Sequence, residues 1–280
     1  MFGYEYGGEK LKLFDLHTHT KYSDGLLTPG ELVRKASAIG LSGISVTDHD
    51  SIDGIPEAIA ESNTINDFKV VPGIEFSCVE GDEEVHILGY FIDHQSSKLK
   101  DALIQIKDER WIRGEKILQK LELLGIKLPM EAIIEEARKN GFIGRATIAR
   151  NLIDFGYVHS IPEAFDLYLG KDRPAYVERF ELKVNEAIEI IHSIGGISVL
   201  AHPGLLLKME TVTFCIEKGI MGIECFHTKH SKEDTEFFAK LCIMNGLLQT
   251  GGSDFHGDDE ILGIVSIDLD HLPQFKERLF

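Results

Sequence analysis

Histidines and carboxylates recur along this chain in six short clusters, most of them directly after an apolar run of strand length. They are Leu16-His17-Thr18-His19 with Asp24, Thr47-Asp48-His49-Asp50, Gly73-Ile74-Glu75, Val85-His86-Ile87, Ala201-His202-Pro203 and Ser253-Asp254-Phe255-His256. The fold therefore has to carry its candidate ligands at strand ends. Few architectures bring so many strand ends to one place, and an α/β barrel does so at the C-terminal rim of its strands.

The remaining pattern agrees with that constraint. Lys12 to Phe14, Gly43 to Val46, Lys69 to Val71, Gly196 to Leu200, Gly219 to Ile223 and Leu247 to Thr250 have the length and β-branched content of strands. Helical segments separate them. Thr28-Pro29-Gly30-Glu31 supplies an N-cap, a proline at the first helical position and a capping-box glutamate, with Leu32, Ala36 and Ile39 as the buried stripe. Lys183 to Ile194 places Val184, Ala187, Ile188, Ile191 and Ile194 on one face, and Gly195-Gly196 ends it. From Leu99 to Arg173 the strand signal disappears, and helices are predicted over 99–124, 129–139, 145–155 and 161–169. The expected organisation is a barrel from residues 1–98 and 174–280, with an inserted helical subdomain, 99–173, that shapes substrate specificity.

A chain of 280 residues with 43% hydrophobic content can build a full core without staples. Cys78, Cys215, Cys225 and Cys242 form no CxxC pair and read as buried reduced thiols, which points to the cytoplasm. No run approaches the roughly 18 apolar residues of a membrane span, and neither a membrane nor a protein partner is implied. The 46 acidic against 29 basic residues give a net charge of −17, which disfavours tracking along long duplex nucleic acid. A small phosphorylated nucleotide or a short RNA fits better.

His17 and His19, at i and i+2 on an extended segment, point to the same side and can grip one ion. Joined by Asp24, His49, Glu75, His86, His202, Asp254 and His256, they make nine nitrogen and oxygen donors, too many for one octahedral ion and enough for two or three. Glu75 is the candidate bridge. A donor set without thiolate suits divalent Mn, Fe or Zn and does not choose among them. Three divalent ions against three carboxylates leave a surplus of about three positive charges, which suits a phosphate dianion better than a neutral amide. That points to hydrolysis of a phosphoester by water activated at the ions.

Asp15-Leu16-His17-Thr18-His19-Thr20-Lys21-Tyr22-Ser23-Asp24-Gly25, together with Thr47-Asp48-His49-Asp50, resembles the motifs of the polymerase and histidinol phosphatase (PHP) family of metal-dependent phosphoesterases. The resemblance covers most of the chain. Asp24, where other branches carry histidine, and Gly144-Arg145-Ala146-Thr147-Ile148-Ala149-Arg150 with Tyr168-Leu169-Gly170 are similar to one branch in particular. Its members are 3',5'-nucleoside bisphosphate phosphatases that also act as 5'-to-3' exoribonucleases. The resemblance implies a distorted (β/α)7 barrel. It also implies one ion on His17, His19, Glu75 and Asp254, a second on Asp24, His49 and His256, and a third on Glu75, His86 and His202. The chain departs from many relatives at Ala146-Thr147 and at His227 after Phe226, positions that bear on substrate preference.

Arg145 is expected to hold a phosphate through its planar fork, and Arg110 and Arg113 are further substrate-binding candidates. His230 is expected at the barrel mouth, holding phosphate or protonating the leaving oxygen. Glu224 and His227 share that loop as candidates for orienting the ligands. The expected activity is removal of the 3'-phosphate from a nucleoside 3',5'-bisphosphate, with 5'-to-3' trimming of short RNA beside it. The alternatives are a phosphatase of the histidinol phosphate type and a non-catalytic metal-binding module.

Overall fold

The computed structural model describes residues 5–6, 9–140, 143–178, 181–257 and 261–280; the side chains of residues 5, 6, 9, 10, 110 and 136–140 lie outside that description. The chain divides into two compact units, residues 1–100 with 182–280 and residues 101–181. Among the described residues no helix is long and apolar enough to cross a membrane.

In the first unit a two-stranded antiparallel ribbon, β1 (Glu5–Tyr6) and β2 (Glu9–Lys10), leads into β3 (Leu13–Thr18). Helix α1 (Pro29–Ala38) forms where the sequence signals it. The Thr28 hydroxyl accepts the Glu31 N–H at 3.3 Å, and the Glu31 carboxylate accepts the Thr28 N–H at 2.8 Å. Leu32, Val33 and Ala36 are buried, but Ile39, expected in the same stripe, is 52% exposed. It is the C-cap residue, and the chain turns at Gly40 with φ +94°. Strand β4 (Gly43–Val46), helix α2 (Ile55–Ser62) and the hairpin β5 (Lys69–Glu80) and β6 (Glu83–Tyr90) follow. After residue 181 come β7 (Leu182–Lys183), α7 (Val184–Ser193), β8 (Ile197–Leu200), α8 (Met209–Glu217), β9 (Gly222–His227), α9 (Lys232–Asn245), β10 (Leu248–Gly252), β11 (Ile267–Asp268) and α10 (Pro273–Leu279).

The fold is mixed α/β, a nearly closed barrel whose ring runs β3-β4-β5-β6-β8-β9-β10. Closure comes from the segment after β10, where Asp254 N–H donates to the His17 carbonyl and His19 N–H to the Phe255 carbonyl, both at 2.9 Å. Gly252 permits this seam, since a Cβ there would stand 2.3 Å from the His17 Cβ. Strand β6 runs antiparallel to both β5 and β8, which is the distortion in an otherwise parallel ring. A crossover helix would have spaced β5 from its successor, whereas here the hairpin turn at Gly81 (φ +60°) joins them directly.

The second unit comprises the greater part of α3 (Ser97–Leu123), then α4 (Met130–Asn140), α5 (Arg145–Asp154) and α6 (Ile161–Ala164), the last continued by a π-helical turn at Phe165–Leu169. Ile117, Leu118, Leu121, Ile148, Leu152 and Leu169 anchor its apolar core.

Candidate metal centre

All nine predicted donors meet at one rim of the barrel. Seven of them stand at the C-terminal ends of parallel strands or in the loops that follow, but Glu75 and His86 lie within β5 and β6. The hairpin explains this difference from the expected strand ends. β5 continues past the rim where its parallel neighbour β4 stops, and β6 returns through the same level, so that His86 pairs with Ser77 two residues beyond Glu75.

Glu75 is the hub. It is 1% exposed, with Oε2 at 3.2 Å from each of His17 Nε2, His19 Nε2 and His49 Nδ1. Its Oε1 lies 2.9 Å from His86 Nδ1 and 3.1 Å from His202 Nε2. Asp254 Oδ1 approaches His19 Nε2 at 3.2 Å and His17 Nε2 at 3.5 Å. On the outer side Asp24 lies 3.3 Å from His256 Nε2 and 3.9 Å from His49 Nε2. The donor atoms of His19, Asp24, His49 and His256 all fall within 4.8 Å of one another, as do those of His17, His19 and Glu75 and those of His49, Glu75 and His86.

The surrounding structure holds these groups in place. Asp48 accepts from Thr20 N–H at 2.7 Å, Thr20 Oγ1 at 2.6 Å and Ser23 Oγ at 2.7 Å, tying down the loop that carries Asp24. The same loop folds so tightly that a Cβ on Gly25 would stand 2.6 Å from the His19 carbonyl carbon. Buried Asp15 accepts from Ser253 N–H and Oγ at 2.9 and 2.6 Å and from Gly263 N–H at 2.9 Å, beneath the His17–Asp254 seam. His202 and Asp254 have φ +28° and +57°, uncommon for residues with a side chain.

The electrostatics are those of imidazoles crowding a few carboxylates. Burial opposes ionisation of Glu75, but the His17 and His49 imidazoles outweigh it and hold its carboxyl well below the usual range. Burial likewise works against charge on His19 and His86, yet their carboxylate partners push them up to about 9 and about 10. Burial lowers His49 to about 4, with Glu75 opposing. Ring nitrogens must shed their protons to bind an ion, so ion binding at this cluster displaces protons.

The donor set fits divalent ions. Among the described residues the buried atoms His17 Nε2, His19 Nε2, His49 Nδ1 and Glu75 Oε2 have no hydrogen-bond partner, and they converge on one another. Leaving several buried polar atoms unsatisfied costs roughly 1–3 kcal/mol each, a cost that metal coordination removes. The set is nitrogen and oxygen only; the four buried cysteines are not among these donors.

Other predicted residues make contacts of their own. Arg113 and Arg145 belong to the second unit. Arg113 Nε donates to the Val177 carbonyl at 3.0 Å, and the Arg145 guanidinium stacks over Phe165 at 5.3 Å. The side chain of Arg110 lies outside the described residues. His230 follows β9 as expected, but its Nδ1–H donates to the Cys225 carbonyl at 3.0 Å while Nε2 accepts the Gly204 N–H at 3.1 Å. Both ring nitrogens thus join His230 to two loops, and burial lowers its basicity.

Sequence reasoning weighed Glu224 and His227 without settling their roles. A bulge decides the placement of His227. Thr250 pairs with Glu224 and Gly251 with Phe226, so Cys225 is an extra residue on β9 and the alternation shifts by one. Phe226 turns outward at 36% exposure and His227 turns in. Lys229, which no motif flagged, reaches Asp254 Oδ2 at 3.4 Å.

A family model described as the PHP domain matches residues 15–124. The chain is 34% identical over 251 residues to the 5'-3' exoribonuclease Rnm of Salmonella typhimurium, covering 87% of this chain and 85% of that one. It is 32% identical over 252 residues to a 3',5'-nucleoside bisphosphate phosphatase of Chromobacterium violaceum, covering 88% of each. Among solved structures it resembles an amidohydrolase from Chromobacterium violaceum with bound sulfate, at TM-score 0.75 and 30% identity, covering 95% of this chain and 97% of that one. A protein of Bifidobacterium adolescentis described as a metal-dependent phosphoesterase superposes at TM-score 0.74 with 28% identity, over 95% and 96% of the two chains.

Proposed function

The chain belongs to the PHP family of metal-dependent phosphoesterases, and from that premise we propose that it removes the 3'-phosphate of nucleoside 3',5'-bisphosphates. The observation that carries the reading is the convergence of five imidazoles on Glu75 within a set of nine nitrogen and oxygen donors, with buried ring nitrogens that have no hydrogen-bond partner among the described residues. We assign His17, His19, Glu75 and Asp254 to one divalent ion, Asp24, His49 and His256 to a second, and Glu75, His86 and His202 to a third, with Mn favoured.

When bound, such ions supply positive charge for the phosphoryl oxygens and activate water. The side chains then divide the work. The rigid hub at Glu75 fixes the spacing of the cluster and so the position of the scissile phosphate. The outward oxygen of Asp254, near Lys229 and His227, keeps that edge of the site supplied with donors. Arg145, in the second unit, is assigned to the phosphate that is not cleaved, with Arg113 and Arg110 as auxiliaries.

A trimming activity on short 5'-phosphorylated RNA fits the same assignment. A nucleoside 3',5'-bisphosphate is the smallest piece of such an RNA end, and in both the bond broken joins phosphorus to the 3'-oxygen while the 5'-phosphate serves as the handle. The family relatives named above include one protein of each description.

The deciding assay is phosphate release by Mn-loaded protein from adenosine 3',5'-bisphosphate, with adenosine 3'-monophosphate and histidinol phosphate alongside. A strong preference for the bisphosphate is expected. Preference for histidinol phosphate would replace the nucleotide reading, and stoichiometric metal with no turnover on any phosphoester would reduce the protein to a binding module.

A further inference from the structure

Strand β9 supplies none of the nine donors, yet its C-terminal end touches three of the segments that do. Glu224, fully buried, places Oε1 3.0 Å from His17 Nδ1 and accepts the His202 backbone N–H on Oε2 at 2.8 Å. Farther along, Thr228 Oγ1 donates to the Ser253 carbonyl at 3.2 Å, and His230 holds the Gly204 N–H at 3.1 Å. His227 Nε2 and Lys229 Nζ lie 3.5 and 3.4 Å from Asp254 Oδ2. The β3, β8 and β10 ends are thus all held from one strand.

We infer that Glu224 is a positioning residue that sets the His17 tautomer and the His202 backbone together, and so prepares two ion positions from behind. The inference rests on the metal reading above. The two nitrogens of an imidazole point away from each other. With Nδ1–H turned to Glu224, the lone pair of His17 Nε2 faces Glu75 and Asp254, where an ion binds. The opposite tautomer would present a proton to the ion. At His202 the carboxylate holds a backbone that would otherwise relax, since φ +28° is unfavourable for a residue with a Cβ.

Glu224 is not itself a ligand, although its oxygens fall within 4.8 Å of donors on His17 and His227. It lies behind the His17 ring, on the side away from Glu75, and its Oε2 is committed to a backbone N–H that no ion can replace. Carboxylates in this position tune affinity, and their loss typically weakens metal binding roughly 10–100-fold.

The test uses Zn2+ alone, which is diamagnetic. Zn2+ affinity is measured by competition with a chromophoric chelator for the wild type and for Glu224→Gln, with circular dichroism to compare their folds. The ring 15N shifts of His17 are recorded in the loaded wild type. Expected are a 10–100-fold weaker affinity for Glu224→Gln at an unchanged dichroism spectrum, and an Nδ1–H tautomer for His17. An affinity within twofold of wild type, or an Nε2–H tautomer, would overturn the inference. Should the variant not fold, the wild-type tautomer alone decides. Wild-type protein that takes up no Zn2+ would remove the metal reading, and this inference with it.

Discussion

The barrel unit buries Asp15, His17, His19, Asp48, Glu75, Glu224 and His227, whereas the helical unit, among its described residues, buries no polar or charged side chain and packs Ile117, Leu118, Leu121, Ile148, Leu152 and Leu169 instead. Each buried charge in the barrel has a desolvation cost that only its partners offset. The apolar core of the second unit needs no such compensation. Substitutions in the two regions should therefore fail differently: in the barrel through lost ion binding, in the helical unit through lost packing.

The largest effect is expected at the hub. Glu75→Gln keeps the shape and removes the charge that five imidazoles face. Phosphate release should fall about a thousandfold or more, with bound metal falling in parallel by atomic absorption and the helical dichroism signal retained. Full metal occupancy in this variant would break the contrast, because the buried charge would then have no role in ion binding.

Leu152→Ala addresses the other side. Leu152 is 0% exposed in the helical core, so truncation should cost about 2–5 kcal/mol of stability in that unit. Denaturant unfolding should show the loss, while Zn2+ affinity at low denaturant stays unchanged. An equal loss of metal affinity would show that the two regions do not fail separately.

The barrel's ligand rim was more legible in the sequence than its supports, and particular residues show why. His17 and His19 announce themselves because an i, i+2 pair after an apolar run has one simple reading. The extent of β5 was hidden by Pro72-Gly73, which punctuates most strands but here lies within a strand that continues to Glu80. β6 opens with Glu83-Glu84 and carries His86 in its interior, so polar residues mask its strand character: His86 belongs to the site, whereas Glu83 accepts from the Leu207 and Lys208 N–H groups ahead of α8. The inward turn of His227 depends on a one-residue bulge opposite Thr250-Gly251, a pairing detail with no local signal. One further reading depended on tertiary context as well. His230 sits where the strand pattern puts it, but only the Cys225 and Gly204 contacts reveal that its nitrogens are taken.

Arg145→Ala sharpens the contrast from the helical side. If this unit contributes recognition and the barrel contributes chemistry, KM for the bisphosphate should rise about tenfold or more, with kcat little changed and with no change for adenosine 3'-monophosphate. The Arg145 guanidinium also stacks on Phe165, so Arg145→Lys should recover packing better than phosphate affinity. Equal losses on both substrates would assign Arg145 to the structure of its own helix.

Lys229→Met should give the smallest change, and it tests where the barrel's buried electrostatics end. Its amine lies 3.4 Å from Asp254 Oδ2, but the side chain is 61% exposed, where screening leaves an ion pair worth under about 1 kcal/mol. Asp254 Oδ1, turned inward to His17 and His19, does not depend on it. Phosphate release should therefore stay within about threefold of wild type, and Zn2+ affinity within the same factor. A tenfold fall in kcat/KM at unchanged metal affinity would mean that Lys229 reaches the substrate phosphate. Recognition would then be shared by both units, and the division between them would hold for packing alone.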